Sequence, residues 1–156
     1  MFFTSPSKGK LSFAEMMQDI TNYIQGLASS SYKIIVGTDS MVRDDTCFIT
    51  AVVVHRLGKG ARYFYRKKYQ RKIKSLRQKI FYETALSLEL GGQIAKYFSE
   101  NGYAEMPVEI HIDAGTQGET RDLIREVVGM VTGSGFQAKI KPDAYGASCV
   151  ADKHTK

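Results

Sequence analysis

Apolar residues set the first pattern along the chain. Phe13, Met16, Met17, Ile20, Ile24 and Leu27 recur at helical spacing. They follow Ser12-Phe-Ala-Glu15, the spacing of a capping box, so a helix is expected over about 12–28, ended by Ser29-Ser30-Ser31. Then the period changes. Lys33–Thr38 holds Ile34-Ile-Val36, and Cys47–Arg56 centres on the run Ile49-Thr-Ala-Val-Val-Val54. Branched runs of this length predict buried strands. Leu57-Gly-Lys-Gly60 is a turn, and Ala61–Tyr69 is a third strand, which completes an antiparallel meander. A long helix is expected from Ile73 to about Glu100, closed by Asn101-Gly102. Pro107–Ile112 reads as strand four, Gly118 to about Val131 as a helix, and Phe136–Ile140 as strand five. From Ala147 onwards only a short helix fits. Three successive strands followed by strand–helix alternation predict an α/β fold with a mixed sheet and helices packed on it.

The long helix adds a sharper expectation. At about 100° per residue, Leu76, Ile80, Ser87, Gly91, Ile94 and Phe98 share one face. Thr84, Ser87, Gly91 and Ala95 keep that face small, so the helix can lie close on a sheet. Glu83 falls at the border of the packed face, and Glu89 falls on the far side. A carboxylate against a packed face needs a partner, because an unpaired buried charge is costly. Glu89 needs none.

Composition narrows the class. The chain has 156 residues, 43% hydrophobic and 24% charged, which fits one globular domain spanning 1–156 with the first helix as an extension. No apolar run approaches the ~18–20 residues of a membrane span. The start, MFFTSPSKGK, lacks a secretory pattern. Cys47 and Cys149 are far apart and form no CxxC, so two reduced thiols in a cytoplasmic protein are expected.

Charge changes the picture further. The net charge is only +6, yet Thr46 to Tyr82 contains no acid and eleven Lys and Arg. The remainder carries eleven basic against sixteen acidic residues. Tyr63, Phe64, Tyr65 and Tyr69 are interleaved with the cations. Cations for phosphates and aromatic faces for bases make nucleic acid the expected partner, with Arg62, Arg66, Lys67, Lys68, Arg71 and Lys72 as contact residues. A solvated positive surface and strand packing of the tyrosines are the plainer alternatives.

The candidate chemistry lies in the acids. Asp39 is expected at the end of strand one, Asp113 at the end of strand four, Glu83 in the long helix, and Asp143 or Asp152 after strand five. If strands one and four are adjacent and parallel, their carboxyl ends share the edge where open α/β sheets bind ligands. Clustered carboxylates repel one another, and a divalent cation removes that conflict. Oxygen donors suit Mg²⁺ or Mn²⁺. Two such ions could clamp the attacking and leaving oxygens of a phosphodiester. An aspartate at a strand end is commonly a turn former or a helix cap, so the joint arrangement carries the expectation and no single acid does.

Together IIVGTDS, IFYETALSLEL, EIHIDAG and KPDAYGASCVADK resemble the ribonuclease H-like superfamily, and more closely the YkuK family of bacterial proteins within it. The resemblance implies a five-stranded mixed sheet in the order 3-2-1-4-5, flanked by helices, with a divalent-metal nuclease site. Matched residue by residue, it implies Asp39, Glu83 and Asp113 as catalytic metal ligands. Asp152 is favoured as the fourth, with Asp143 as the alternative. His111 shares a strand face with Asp113, and His154 follows the last acid. The implied activity is two-metal hydrolysis of RNA, an RNA–DNA hybrid or branched DNA. A nucleic-acid-binding module with little or no catalysis is the alternative.

Overall fold

The computed structural model describes residues 2–114 and 121–140. Asp143, Cys149, Asp152 and His154 lie outside them. The chain opens with a hairpin, β1 (Phe3–Ser5) and β2 (Gly9–Leu11), whose turn places Gly9 at φ 73°, a conformation that suits glycine. Helix α1 (Phe13–Gln25) follows. Its capping box is complete: Glu15 N–H donates to Ser12 Oγ (3.1 Å) and Ser12 N–H donates to the Glu15 carboxylate (2.9 Å). The meander consists of β3 (Tyr32–Val42), β4 (Asp45–Arg56) and β5 (Ala61–Arg71). Then come α2 (Leu76–Glu100), β6 (Val108–His111), α3 (Arg121–Gly133) and β7 (Gln137–Lys139).

The mixed α/β sheet is as expected in kind, but the expected five strands are corrected to seven among the described residues, ordered β2-β1-β5-β4-β3-β6-β7. The expected order 3-2-1-4-5 is the run β5-β4-β3-β6-β7, and the difference is a hairpin added beyond β5. The additional hairpin pairs with β5 only at Thr4↔Tyr65. Three-residue strands are too short to show a period in sequence. A second correction concerns Asp39, which does not end its strand. Strand β3 continues to Val42 and pairs with β4 down to Val42↔Thr46. The apolar run stops at Val36, but hydrogen-bonded pairing does not need one. Helix α2 starts at Leu76 rather than Ile73. The Ser75 side chain caps it, while Ile73 N–H donates to Thr46 Oγ1 (2.9 Å) and ties the preceding segment to β4.

Alternation along the strands divides the core in two. Ile34, Val36, Val52, Val54 and Phe64 face α1, α2 and α3, whose Met16, Ile20, Leu90, Ile94 and Val127 complete the main core. Ile35, Ile49, Ala51 and Val53 form a smaller cluster on the other face, with Cys47, Tyr63 and Tyr65 against it. Strands β3 and β6 are parallel neighbours, Ile34↔Val108 through Gly37↔His111, so their carboxyl ends do share one edge. Among the described residues no helix is long and apolar enough to cross a membrane.

Candidate active site

Helix α2 delivers Glu83 to that edge. Its buried face runs through Ile80, Glu83, Thr84, Ser87, Gly91, Ile94 and Phe98. Small residues let it approach closely. A Cβ on Gly91 would stand 2.9 Å from Ile110 Cδ1, so only glycine fits without displacement. Buried hydroxyls fasten the next turn: Thr38 Oγ1 is hydrogen-bonded to Ser87 Oγ (2.7 Å) and to Thr50 Oγ1 (3.0 Å). Glu83 is consequently 6% exposed, whereas Glu89 is exposed, as the helical-face argument expects.

The Glu83 carboxyl accepts a short hydrogen bond from Ser40 Oγ. Its pKa is raised to about 8, mainly by burial. Ser40 opposes that rise, Asp39 and Asp113 reinforce it, and Lys79, one helical turn earlier, opposes it. The three described acids therefore act on one electrostatic neighbourhood, although they come from two strands and a helix. They are not equivalent in placement. Thr38 and Ser40 face α2, so Asp39 between them projects from the opposite side of β3, opposite Ile49. Its Oδ1 accepts the Ser40 N–H at 2.8 Å. Asp113 follows β6 and is half-buried. Among the described residues no three His, Cys, Asp or Glu groups stand close enough to hold a metal ion.

Beside the acids, β6 carries a second polar group. Glu109 and His111 are both 6% exposed, with His111 Nε2 3.2 Å from Glu109 Oε1. Lys33 Nζ lies 3.5 Å from the other Glu109 oxygen. Burial pushes the His111 pKa down, Glu109 opposes this, and Lys33 and Lys139 reinforce it. Among the described residues its Nδ1 is buried without a hydrogen-bond partner.

The basic strand separates into two classes of cation. Arg62 donates to Asp19 (3.2 and 3.3 Å) and lies over the Tyr23 ring. Arg66 is 8% exposed and sits over Phe3. These two arginines contact the protein itself. Lys67, Lys68, Arg71 and Lys72 are exposed, and of these Lys68 also lies over the Tyr82 ring, 5.6 Å from its centroid. Sequence reasoning passed over Ser40, Lys79 and Glu109. Two of them had a signal: Lys79 is at i−4 from Glu83 on one helical face, and alternation places Ser40, not Asp39, toward the helix.

Comparison with known proteins agrees with this arrangement of sheet and helices. A family model described as Ribonuclease H-like matches residues 15–156. The chain is also 40% identical to "Uncharacterized protein YkuK" of Bacillus subtilis (strain 168), over 99% of this chain and 96% of that protein. A match of that extent settles kinship: the chain belongs to the ribonuclease H-like family and, within it, groups with YkuK.

Proposed function

We propose that this protein hydrolyses phosphodiester bonds in RNA, an RNA–DNA hybrid or branched DNA, with Asp39, Glu83, Asp113 and Asp152 holding two Mg²⁺ or Mn²⁺ ions. The observation that carries this is Glu83: a carboxyl 6% exposed, delivered by a close-packed helix to an edge where two aspartates raise its pKa. Such a group gains from a cation what its protein surroundings do not supply. The donors fit in kind, since all are carboxylate oxygens, which suit hard divalent ions. Bound there, the ions would supply an activated water and neutralise charge on the leaving oxygen. Ser40 orients the Glu83 carboxyl, and Lys79 tempers its field. Lys67, Lys68, Arg71 and Lys72 hold the substrate backbone, while Arg62 and Arg66 brace the strand that presents them.

A binding module without catalysis is the second reading, favoured by the absence of a three-donor group among the described residues. Titration of Mn²⁺ into ¹⁵N-labelled protein separates the two. Hydrolysis requires selective broadening around Asp39, Glu83 and Asp113 that disappears in Asp39→Asn. It also requires that Asp39→Asn lower cleavage by roughly 100- to 1000-fold while oligonucleotide binding persists. Binding without broadening or cleavage would leave the module.

A further inference from the structure

The far end of β5 differs from the rest of the sheet. Gln70 Nε2 donates to Tyr82 Oη of α2 (2.8 Å), so even-numbered positions there face the helix. Alternation sends Lys67, Tyr69 and Arg71 to the opposite face, which is the face of Asp39. The register is continuous. Lys67 pairs with Ile49, which pairs with Asp39; Tyr69 pairs with Cys47, which pairs with Met41. Tyr69 thus lies one row beyond Asp39 and two strands across, about 7 Å along the sheet and about 9.5 Å over it.

Tyr69 is 66% exposed, slightly more than Phe2 at 64% and the most of any large aromatic or aliphatic side chain among the described residues. Lys67 and Arg71 flank it on the same face and are both exposed; neither makes an ion pair with a described residue. Arg71 stands opposite the exposed Asp45 at the hairpin end. Strand β1 touches β5 only at Tyr65, so among the described residues the edge from Lys67 onward is also unpaired within the sheet. Lysine and arginine on an open edge serve to discourage edge-to-edge pairing. That duty explains the cations but not a protruding tyrosine between them.

We propose that Lys67, Tyr69 and Arg71 form a stacking platform for an unpaired nucleobase of single-stranded nucleic acid, on the Asp39 side of the sheet. A base inside a duplex has both faces covered by its neighbours. Only a splayed base can lie on an aromatic side chain. The two cations stand about 13 Å apart with the ring midway, which suits phosphates on either side of one stacked nucleoside. The platform presupposes the nucleic-acid function proposed above, and narrows its substrate class to strands with unpaired bases on the Asp39 face of the sheet.

The chain contains no tryptophan, so Tyr69→Trp introduces a single indole reporter at an exposed position. It is titrated in EDTA with an eight-nucleotide single strand, as RNA and as DNA, and with a hybrid duplex of the same sequence. The expected result is indole quenching by the single strands and none by the duplex, the stronger of the two arms identifying the preferred sugar. In parallel, Tyr69→Ala should weaken single-strand binding roughly 5- to 150-fold, the range of one lost stack, and Tyr69→Phe should restore it. Equal quenching by duplex and single strand, no quenching by any oligonucleotide, or wild-type binding by Tyr69→Ala overturns the platform. The nuclease proposal fails separately. Quenching without cleavage of any substrate would remove the nuclease and keep the platform. Cleavage of hybrid duplex at the wild-type rate by a non-quenching Tyr69→Trp would do the reverse.

Discussion

Asp19 in α1 and Glu83 in α2 are carboxylates buried to nearly the same degree, 4% and 6% exposed, and the protein treats them in opposite ways. Asp19 receives Lys8 Nζ at 2.5 Å and Arg62 at 3.2 Å. Two cations from two different elements answer one anion, which locks the first helix to the β1–β2 turn and to β5. Glu83 has a hydroxyl, one lysine a turn away and two like charges around it. Burial alone therefore does not mark a functional acid. What marks it is burial left without a matching counter-charge, because selection for stability would remove such a group unless another ligand completes it.

The contrast predicts its largest effect in the pH dependence of stability without divalent cations. The folded pKa of Glu83, about 8, lies above its unfolded value. The protonated carboxyl therefore stabilises the fold fully below about pH 4.5, and that contribution is lost as pH rises through 8. Glu83→Gln keeps the neutral shape and cannot ionise. In urea titrations in EDTA the variant should match wild type near pH 4 and exceed it at pH 9 by on the order of 4–5 kcal/mol, the scale of a shift from 4.5 to about 8. Millimolar Mg²⁺ should narrow that gap, because a bound cation stabilises the ionised form. A gap that is the same at both pH values would break the comparison.

The converse experiment targets Asp19. Asp19→Ala removes the shared acceptor of Lys8 and Arg62. Lys8 is half exposed and Arg62 one-third exposed, so both can turn to solvent, and the cost should be about 1–2 kcal/mol rather than the ~3–5 of a fully buried pair. For a chain of this length that is a fall in Tm of roughly 2–8 °C. The loss should be the same with and without Mg²⁺. A cation-dependent loss would show that the two acids are not independent.

Much of this contrast was legible in the sequence, and the rest was not for identifiable reasons. Helical periodicity separated Glu83 from Glu89, and the small residues around Gly91 announced a close helix, because both are local properties of one element. The meander followed from strand runs and their order, whereas the parallel β3–β6 neighbourhood followed only from the family resemblance. The hairpin β1–β2 did not, since three residues carry no period. Nor did the extension of β3 past Asp39, where pairing continues through polar residues. The division of the basic stretch was hidden as well. Arg62 and Arg66 look like Lys67 and Arg71 until Asp19, Tyr23 and Phe3, all distant in sequence, are seen to occupy them.

The smallest expected effect is also the most discriminating, and it lies at Ser40. Its hydroxyl donates to Glu83 and so favours the ionised carboxylate, opposing burial. In Ser40→Ala that donor is gone while Asp39, Asp113 and Lys79 stay in place. The Glu83 pKa should rise further, by about one unit or less, the scale of a single net hydrogen bond. Carboxyl ¹³C titration without divalent cations reads this directly. A rise would mean that Ser40 prepares Glu83 to be an anion, which a purely structural acid would not require. A fall would mean that the hydrogen bond favours the neutral acid, and that Glu83 is settled in its buried state much as Asp19 is in its own.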